Sequence, residues 1–149
     1  MFVGIPPRQR RRVTWATPLL FSALWLAYVV VALRAPAGHG SSALDWGVLT
    51  GGLDSLADWR QAVADGSVLR LFSALFLHAD WIHLLGNLVF LLIFGLSAER
   101  AMGGGRLLLL FLLGGAVSNL AAVLAIGSPD RVVIGASGAV SALIGAYLA

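Results

Sequence analysis

The chain carries four long apolar runs, and none of them contains Asp, Glu, Lys or Arg. The runs occupy residues 17–33, 81–98, 107–126 and 132–149. A helix formed by the 17 residues of the first run is about 26 Å long, close to the bilayer's hydrocarbon core of about 30 Å. The pattern therefore predicts an all-α fold, a polytopic membrane helix bundle with four spans.

A basic segment precedes the first run. RQRRR (residues 8–12) stands before it and Ala-Pro-Ala (residues 35–37) follows it, a combination also found in cleaved signal peptides. The run is long for a signal peptide and further spans follow, which favours a retained helix. Arginine beside a first span is typical of the cytoplasmic side. We therefore expect residues 1–16 to be a cytoplasmic N-terminus and residues 17–149 to form a membrane domain.

A long, mixed segment, residues 34–80, forms the predicted outer loop between the first two spans. Within it, residues 55–64 (SLADWRQAVA) have the pattern of a short amphipathic helix, with Gly66 just beyond its end. Trp and Arg side chains next to membrane spans suit a segment that lies at the membrane interface. A folded polar loop is the alternative.

Composition supports a membrane protein. Hydrophobic residues make up 59% of the chain and charged residues only 11%, against about 25% charged residues in ordinary soluble domains. The absence of cysteine excludes disulfides, thiolate metal ligands and a cysteine nucleophile. The net charge of +3 comes from the N-terminal arginines, and no basic surface interleaved with aromatic residues follows, so we expect no nucleic-acid partner. Arginine without lysine indicates a GC-rich bacterial genome, and hence a bacterial plasma membrane.

Two polar residues interrupt the second apolar run. His83 and Asn87 are four residues apart and share one helix face, and polar residues inside a span are costly and often functional. His83 precedes Glu99, at the predicted cytoplasmic end, by 16 residues, or about 24 Å of helix. Because successive spans cross the membrane in alternating directions, the fourth run starts at the outer side, and Ser137 lies near that start. All three side chains are therefore expected in the same outer layer of the membrane.

These residue types suggest acyl transfer. A serine hydroxyl attacks a carbonyl when a base accepts its proton, and the tetrahedral intermediate needs donors aimed at its oxyanion. The backbone N–H of Ser137, the His83 imidazole and the Asn87 amide are candidate donors. Gly135 and Gly138 would let the backbone and a substrate approach closely.

Each of these residues also has a structural interpretation. Ser137 precedes a ridge of small residues (Gly138, Ala142 and Ala146) suited to helix packing. His83 and Asn87 fit an interhelical hydrogen-bonded pair. His78, five residues before His83, points elsewhere on a continuous helix, which predicts a structural role near the helix start. No third ligand converges with the two histidines, so no zinc site is expected.

Taken together, HADWIHLLGN (residues 78–87) and GASG (residues 135–138) resemble the signature of the rhomboid family of intramembrane serine proteases. The resemblance implies that Ser137 is the nucleophile and that His83 and Asn87 help its backbone N–H to bind the oxyanion. It implies that His78 is a structural residue near the site. It also implies that Arg70 matches the arginine of the family's first-loop Trp-Arg pair, with Leu69 in place of the tryptophan. Substrates would be single-span membrane proteins cut near the outer face, and no metal or cofactor is implied.

The sequence departs from the family pattern at two points. Rhomboids have six core helices and a general-base histidine on the sixth, whereas this chain ends within the fourth; we expect a C-terminally incomplete sequence that is inactive alone. Ser141 stands where bacterial relatives often carry an aromatic residue. The alternative function is a catalytically inactive rhomboid-like protein that binds membrane helices. A third possible function, as a component of a small transporter or channel, is supported only by the polar residues within the membrane spans.

Overall fold

The computed structural model describes residues 13–34, 46–49, 55–126 and 131–148. Most of the predicted N-terminal segment, His39 and parts of the outer loop lie outside the described residues. The described part contains six helices and a two-stranded sheet. The elements are α1 (Ala16–Arg34), β1 (Val48–Leu49), α2 (Leu56–Ala64), α3 (Ser67–Phe76), α4 (Trp81–Met102), α5 (Gly104–Ala125), β2 (Val132–Val133) and α6 (Ser137–Leu148).

Three of these helices, α1, α4 and α5, are long and apolar enough to cross a membrane. α4 contains a π-helical segment at Leu91–Gly95. One cluster of buried apolar side chains joins α1, α3, α4, α5 and α6, with Phe111 and Leu75 fully buried. Many large apolar side chains, among them Ile93 and Leu109, remain exposed on the outside of the helices, where lipid is the natural solvent. The chain is therefore an all-α integral membrane protein.

The outer loop contains more helix than its mixed sequence suggests. Ser55 and Asp58 form a reciprocal capping box, with a 2.8 Å bond from the Ser55 N–H to the Asp58 carboxylate, at the start of α2. This confirms the short helix predicted at residues 55–64. α3, which the sequence analysis did not predict, has an α-helical turn between two 3₁₀ turns.

The start of α1 is fixed to the end of α4 by a buried carboxylate. Glu99 accepts hydrogen bonds from the backbone N–H groups of Trp15 (2.6 Å), Ala16 (2.7 Å) and Thr17 (2.8 Å). The first N–H groups of a helix have no intrahelical acceptor, and the helix dipole favours a negative charge there. The contact places the N-terminus of α1 and the C-terminal end of α4 on the same side of the bundle.

α5 and α6 pack through small residues. A Cβ added at Gly115 would lie 2.9 Å from the Ala139 Cβ, and one added at Gly138 would overlap the Ser118 side chain. Gly114 faces Ala142 in the same way. Gly138 and Ala142 therefore belong to a close helix contact, as the small-residue interpretation predicted.

The segment before α6 differs from the predicted continuous span over residues 132–149. Val132 and Val133 form a strand that pairs antiparallel with Leu49 and Val48, and the Gly135 N–H donates to the Ala74 carbonyl at 2.8 Å. The helix begins only at Ser137. The first apolar residues of this run therefore bind the outer loop rather than extend the helix. The third span also begins earlier than the predicted residue 107. The turn after α4 consists of Gly103, and Gly104 is already helical.

Candidate active site

Ser137 occupies the first position of α6. The Val140 N–H donates to the Ala136 carbonyl at 2.9 Å, which closes the first helical turn and leaves the N–H groups of Ser137 to Ala139 without intrahelical acceptors. Gly135, two residues earlier, has φ 113°, a conformation that side chains rarely adopt. A Cβ there would also lie 2.7 Å from Cε1 of His83. The glycine thus brings the loop before Ser137 against the His83 imidazole.

An open cleft of about 390 Å³ separates α4 from α6 beside this serine. Its walls are formed by Ile82, His83, Gly86, Asn87 and Phe90 on α4 and by Ser137, Val140, Ser141 and Ile144 on α6. Ser137 is exposed, His83 is half-buried and Asn87 is buried. The structure thus brings together the three residues that the sequence analysis placed in one layer. The walls between them are mainly apolar.

His78 lies differently from the prediction. α4 begins at Trp81, where Asp80 caps it by accepting the His83 N–H at 2.8 Å, so His78 belongs to the preceding extended segment and not to a continuous helix. Its imidazole is only 3% exposed and lies against Asn87 and His83. Nε2 of His78 lies 3.0 Å from Nδ2 of Asn87. Asn87 is therefore paired with His78 on the segment before α4, whereas the structural interpretation had considered Asn87 together with His83.

The surroundings of His78 keep its imidazole neutral. Burial lowers the pKa of His78 from 6.5 to about 4, and repulsion from His83 adds to this shift. The backbone of Phe76 and the Asp80 carboxylate oppose it only in part. The His78 and His83 rings meet edge to face, with centroids 5.2 Å apart. At neutral pH, His78 therefore has one protonated nitrogen and one that accepts.

The remaining predicted site residues are Gly135, Gly138 and Arg70. Gly135 and Gly138 do allow close approach of other groups, because His83 packs against Gly135 and Ser118 against Gly138. Arg70 lines a separate cavity in the outer loop together with Trp59, and is not part of the Ser137 cleft. In the described ranges, no three His, Asp or Glu side chains converge on a metal site.

One buried amide of α5 has a partner that the sequence did not indicate. Asn119 donates from Nδ2 to the Leu71 carbonyl at 2.8 Å and is 4% exposed. This bond joins α5 to α3. The only sequence signal was a polar residue inside an apolar run, and its acceptor lies on a helix that the outer-loop sequence did not predict.

The fold and the cleft define an integral membrane protein with a serine, a histidine and an asparagine gathered between two helices. A family model described as the Rhomboid domain matches residues 65–149, more than half of the chain. The chain belongs to the rhomboid family.

Named relatives agree with this assignment. RHOMBOID-like protein 5 of Arabidopsis thaliana is 35% identical over 89 residues, which are 60% of this chain and 29% of that protein. "Putative rhomboid protease YdcA" of Bacillus subtilis is 35% identical over 96 residues, 64% of this chain and 47% of that protein. Rhomboid-related protein 2 of Mus musculus is 33% identical over 104 residues, 70% and 32% of the two chains. The chain spans less than half of the length of these relatives.

Proposed function

We propose that this chain carries the nucleophile and the oxyanion-binding groups of an intramembrane serine endopeptidase. The observation that carries the proposal is the exposed Ser137 at the first turn of α6, in the same cleft as His83 and Asn87. Membership of the rhomboid family supports it. The positive φ of Gly135 also brings the loop before Ser137 against His83.

The proposed chemistry begins with attack of Ser137 Oγ on a peptide carbonyl while a base accepts the hydroxyl proton. The negative charge on the carbonyl oxygen is stabilised by the Ser137 N–H at the α6 N-terminus, together with His83 and the Asn87 amide. The amine then leaves with a proton, and water hydrolyses the acyl-enzyme to release the acid and restore Ser137. The resemblance assigns the base to a histidine that the described residues do not include.

The proposed substrates are single-span membrane proteins cut near the outer face of a bacterial plasma membrane. The Glu99 contact puts the start of α1 beside the end of α4, whereas His83 lies near the opposite end of α4. A cytoplasmic N-terminus, which the arginines favour, therefore puts the cleft near the outer face. The mainly apolar walls suit an unwound stretch of a membrane helix.

Cleavage in proteoliposomes tests this function. The gene product that contains this chain is reconstituted with a single-span model substrate, and Ser137→Ala is compared with Ser141→Ala, a matched control because both hydroxyls line the cleft. We expect the first change to abolish cleavage and the second to retain it. Equal cleavage by wild type and Ser137→Ala would overturn the proposal. A wild-type protein that binds substrate helices without cutting them would favour the inactive, helix-binding alternative.

A further inference from the structure

We propose that His78 is a positioning residue that fixes the Asn87 amide and the backbone before Ser137 for oxyanion binding, an inference that rests on the proposed function. His78 is distant in sequence from the serine, but one nitrogen of its ring contacts both partners. Nε2 lies 3.0 Å from Nδ2 of Asn87 and 3.5 Å from the Ala136 nitrogen. The ring edge also meets the His83 ring.

The direction of these hydrogen bonds follows from the backbone contact. A backbone N–H only donates, so Nε2 of His78 must accept from Ala136 and must be unprotonated. The Asn87 group that faces the same nitrogen must then be its NH₂ and not its carbonyl oxygen. This assignment puts the proton of the neutral ring on Nδ1, which is buried and has no hydrogen-bond partner among the described residues. The contact with Ala136, 3.5 Å long, thus favours this orientation of the Asn87 amide.

This orientation matters for the oxyanion. An amide NH₂ has two hydrogens, and with one directed at His78 the second remains for a ligand in the cleft. If the Asn87 amide rotated by half a turn, its carbonyl oxygen would meet the Nε2 lone pair, and the NH₂ group would change position. The pairing with His78 disfavours that rotation. His78 therefore sets a donor in place before the reaction, which is the condition for oxyanion stabilisation.

The same nitrogen restrains the chain that carries the nucleophile. Ala136 immediately precedes Ser137, and the neighbouring Gly135 N–H is bound to the Ala74 carbonyl at 2.8 Å. The N–H groups of the two residues before the serine are thus bound by α3 and by the extended segment between α3 and α4. Loss of the His78 acceptor would free one of them and leave the buried Asn87 amide without its partner. We expect the acylation step to slow more than substrate binding weakens.

Labelling kinetics with a fluorophosphonate test this role in the gene product that contains this chain. The concentration dependence separates the maximal labelling rate from the half-saturating concentration. His78→Gln places a carboxamide oxygen near the position of Nε2, whereas His78→Asn reaches only about as far as Nδ1. We expect His78→Asn to lower the maximal rate about 10- to 100-fold, less than the roughly 100- to 1,000-fold typical of deleting an oxyanion donor. His78→Gln should restore most of that rate, and the half-saturating concentration should change little.

Asn119→Leu is the matched structural control. It also removes a buried amide hydrogen bond, but to Leu71 outside the cleft. We expect it to lower the unfolding temperature and keep the labelling rate per folded molecule. Equal maximal rates for wild type, His78→Gln and His78→Asn would overturn the positioning role while leaving the proposed function intact. A wild-type protein that does not label at Ser137 would overturn the proposed function and this role with it.

Discussion

The carboxylate of Glu99 accepts a 2.7 Å hydrogen bond from the backbone N–H of Ala16, 83 residues earlier in the chain. Glu99 is fully buried and binds the N–H groups on either side of Ala16 as well. One side chain therefore closes α1 against α4 at the end of the bundle opposite to His83. Its contribution is to the fold and not to the chemistry of the cleft.

We expect Glu99→Gln to destabilise the protein. The amide keeps one acceptor oxygen but turns an NH₂ group toward backbone N–H donors, so at least one buried N–H loses its partner. The expected cost is about 2–3 kcal/mol, typical of a lost hydrogen bond to a charged group. Thermal unfolding in detergent measures it, with the exposed neighbour substitution Arg100→Gln as control. Equal unfolding temperatures for the two variants would show that the three bonds do not stabilise the bundle.

The contact between Gly138 and Ser118 predicts a compensating pair. Gly138→Ala adds a methyl group that overlaps the Ser118 side chain, and overpacking of this kind costs about 1–3 kcal/mol. Ser118→Gly removes the obstructing atoms, so the double variant should recover most of the lost unfolding temperature. A double variant no more stable than Gly138→Ala alone would contradict the close α5–α6 contact.

Gly86 allows the size of the cleft to be changed without strain. A Cβ at this position meets no atom within 4 Å, so Gly86→Phe should fold while its ring fills the cleft and slows labelling of Ser137 by a bulky fluorophosphonate. Gly105→Phe is the matched control, since Gly105 is also helical and open but lies outside the cleft. Equal labelling rates for the two folded variants would mean that the cleft is not the route to the serine.

The pKa of His78 predicts a pH dependence of stability. Because that pKa is lowered from 6.5 to about 4, the unfolded chain binds a proton in this interval that the folded protein does not. Stability is therefore full above about pH 6.5 and falls toward pH 4, by up to about 3 kcal/mol. His83 and Asp80 are the titratable groups that act on the ring.

Unfolding temperatures between pH 7 and pH 4 measure this effect. His78→Gln should remove the part of the slope that lies above pH 4. Carboxylates such as Asp65, whose pKa is lowered by hydrogen bonds from Ser67, add their own slope at lower pH in both proteins. Parallel curves for wild type and His78→Gln from pH 7 to pH 4 would contradict a lowered pKa at His78.

The features that depend on the pattern of residues within one segment could be predicted from the sequence. Long apolar runs without charged residues predicted the three long helices, because a helix that meets lipid on the outside and the core on the inside is apolar all round. The spacing of His83 and Asn87 put both on one helix face, and both line the cleft. Ser55 and the amphipathic pattern after it predicted α2.

The remaining features depend on partners distant in the chain. Val132 and Val133 have the same apolar character as the helix that follows, and only pairing with Val48 and Leu49 makes them a strand. The orientation of His78 depends on where α4 starts, which the Asp80 cap determines. The sequence predicted a structural role for His78 near the helix start, but its contacts with Asn87 and Ala136 could not be read from the spacing alone.

The proposed function requires Ser137 to be an activated nucleophile. The most direct measurement is site-resolved mass spectrometry of the gene product that contains this chain after reaction with a fluorophosphonate, with Ser141, Ser118 and the heat-denatured protein as internal comparisons. We expect a single stoichiometric adduct on Ser137, no adduct after denaturation and none in Ser137→Ala. An adduct on another serine, or labelling that persists in Ser137→Ala, would contradict it.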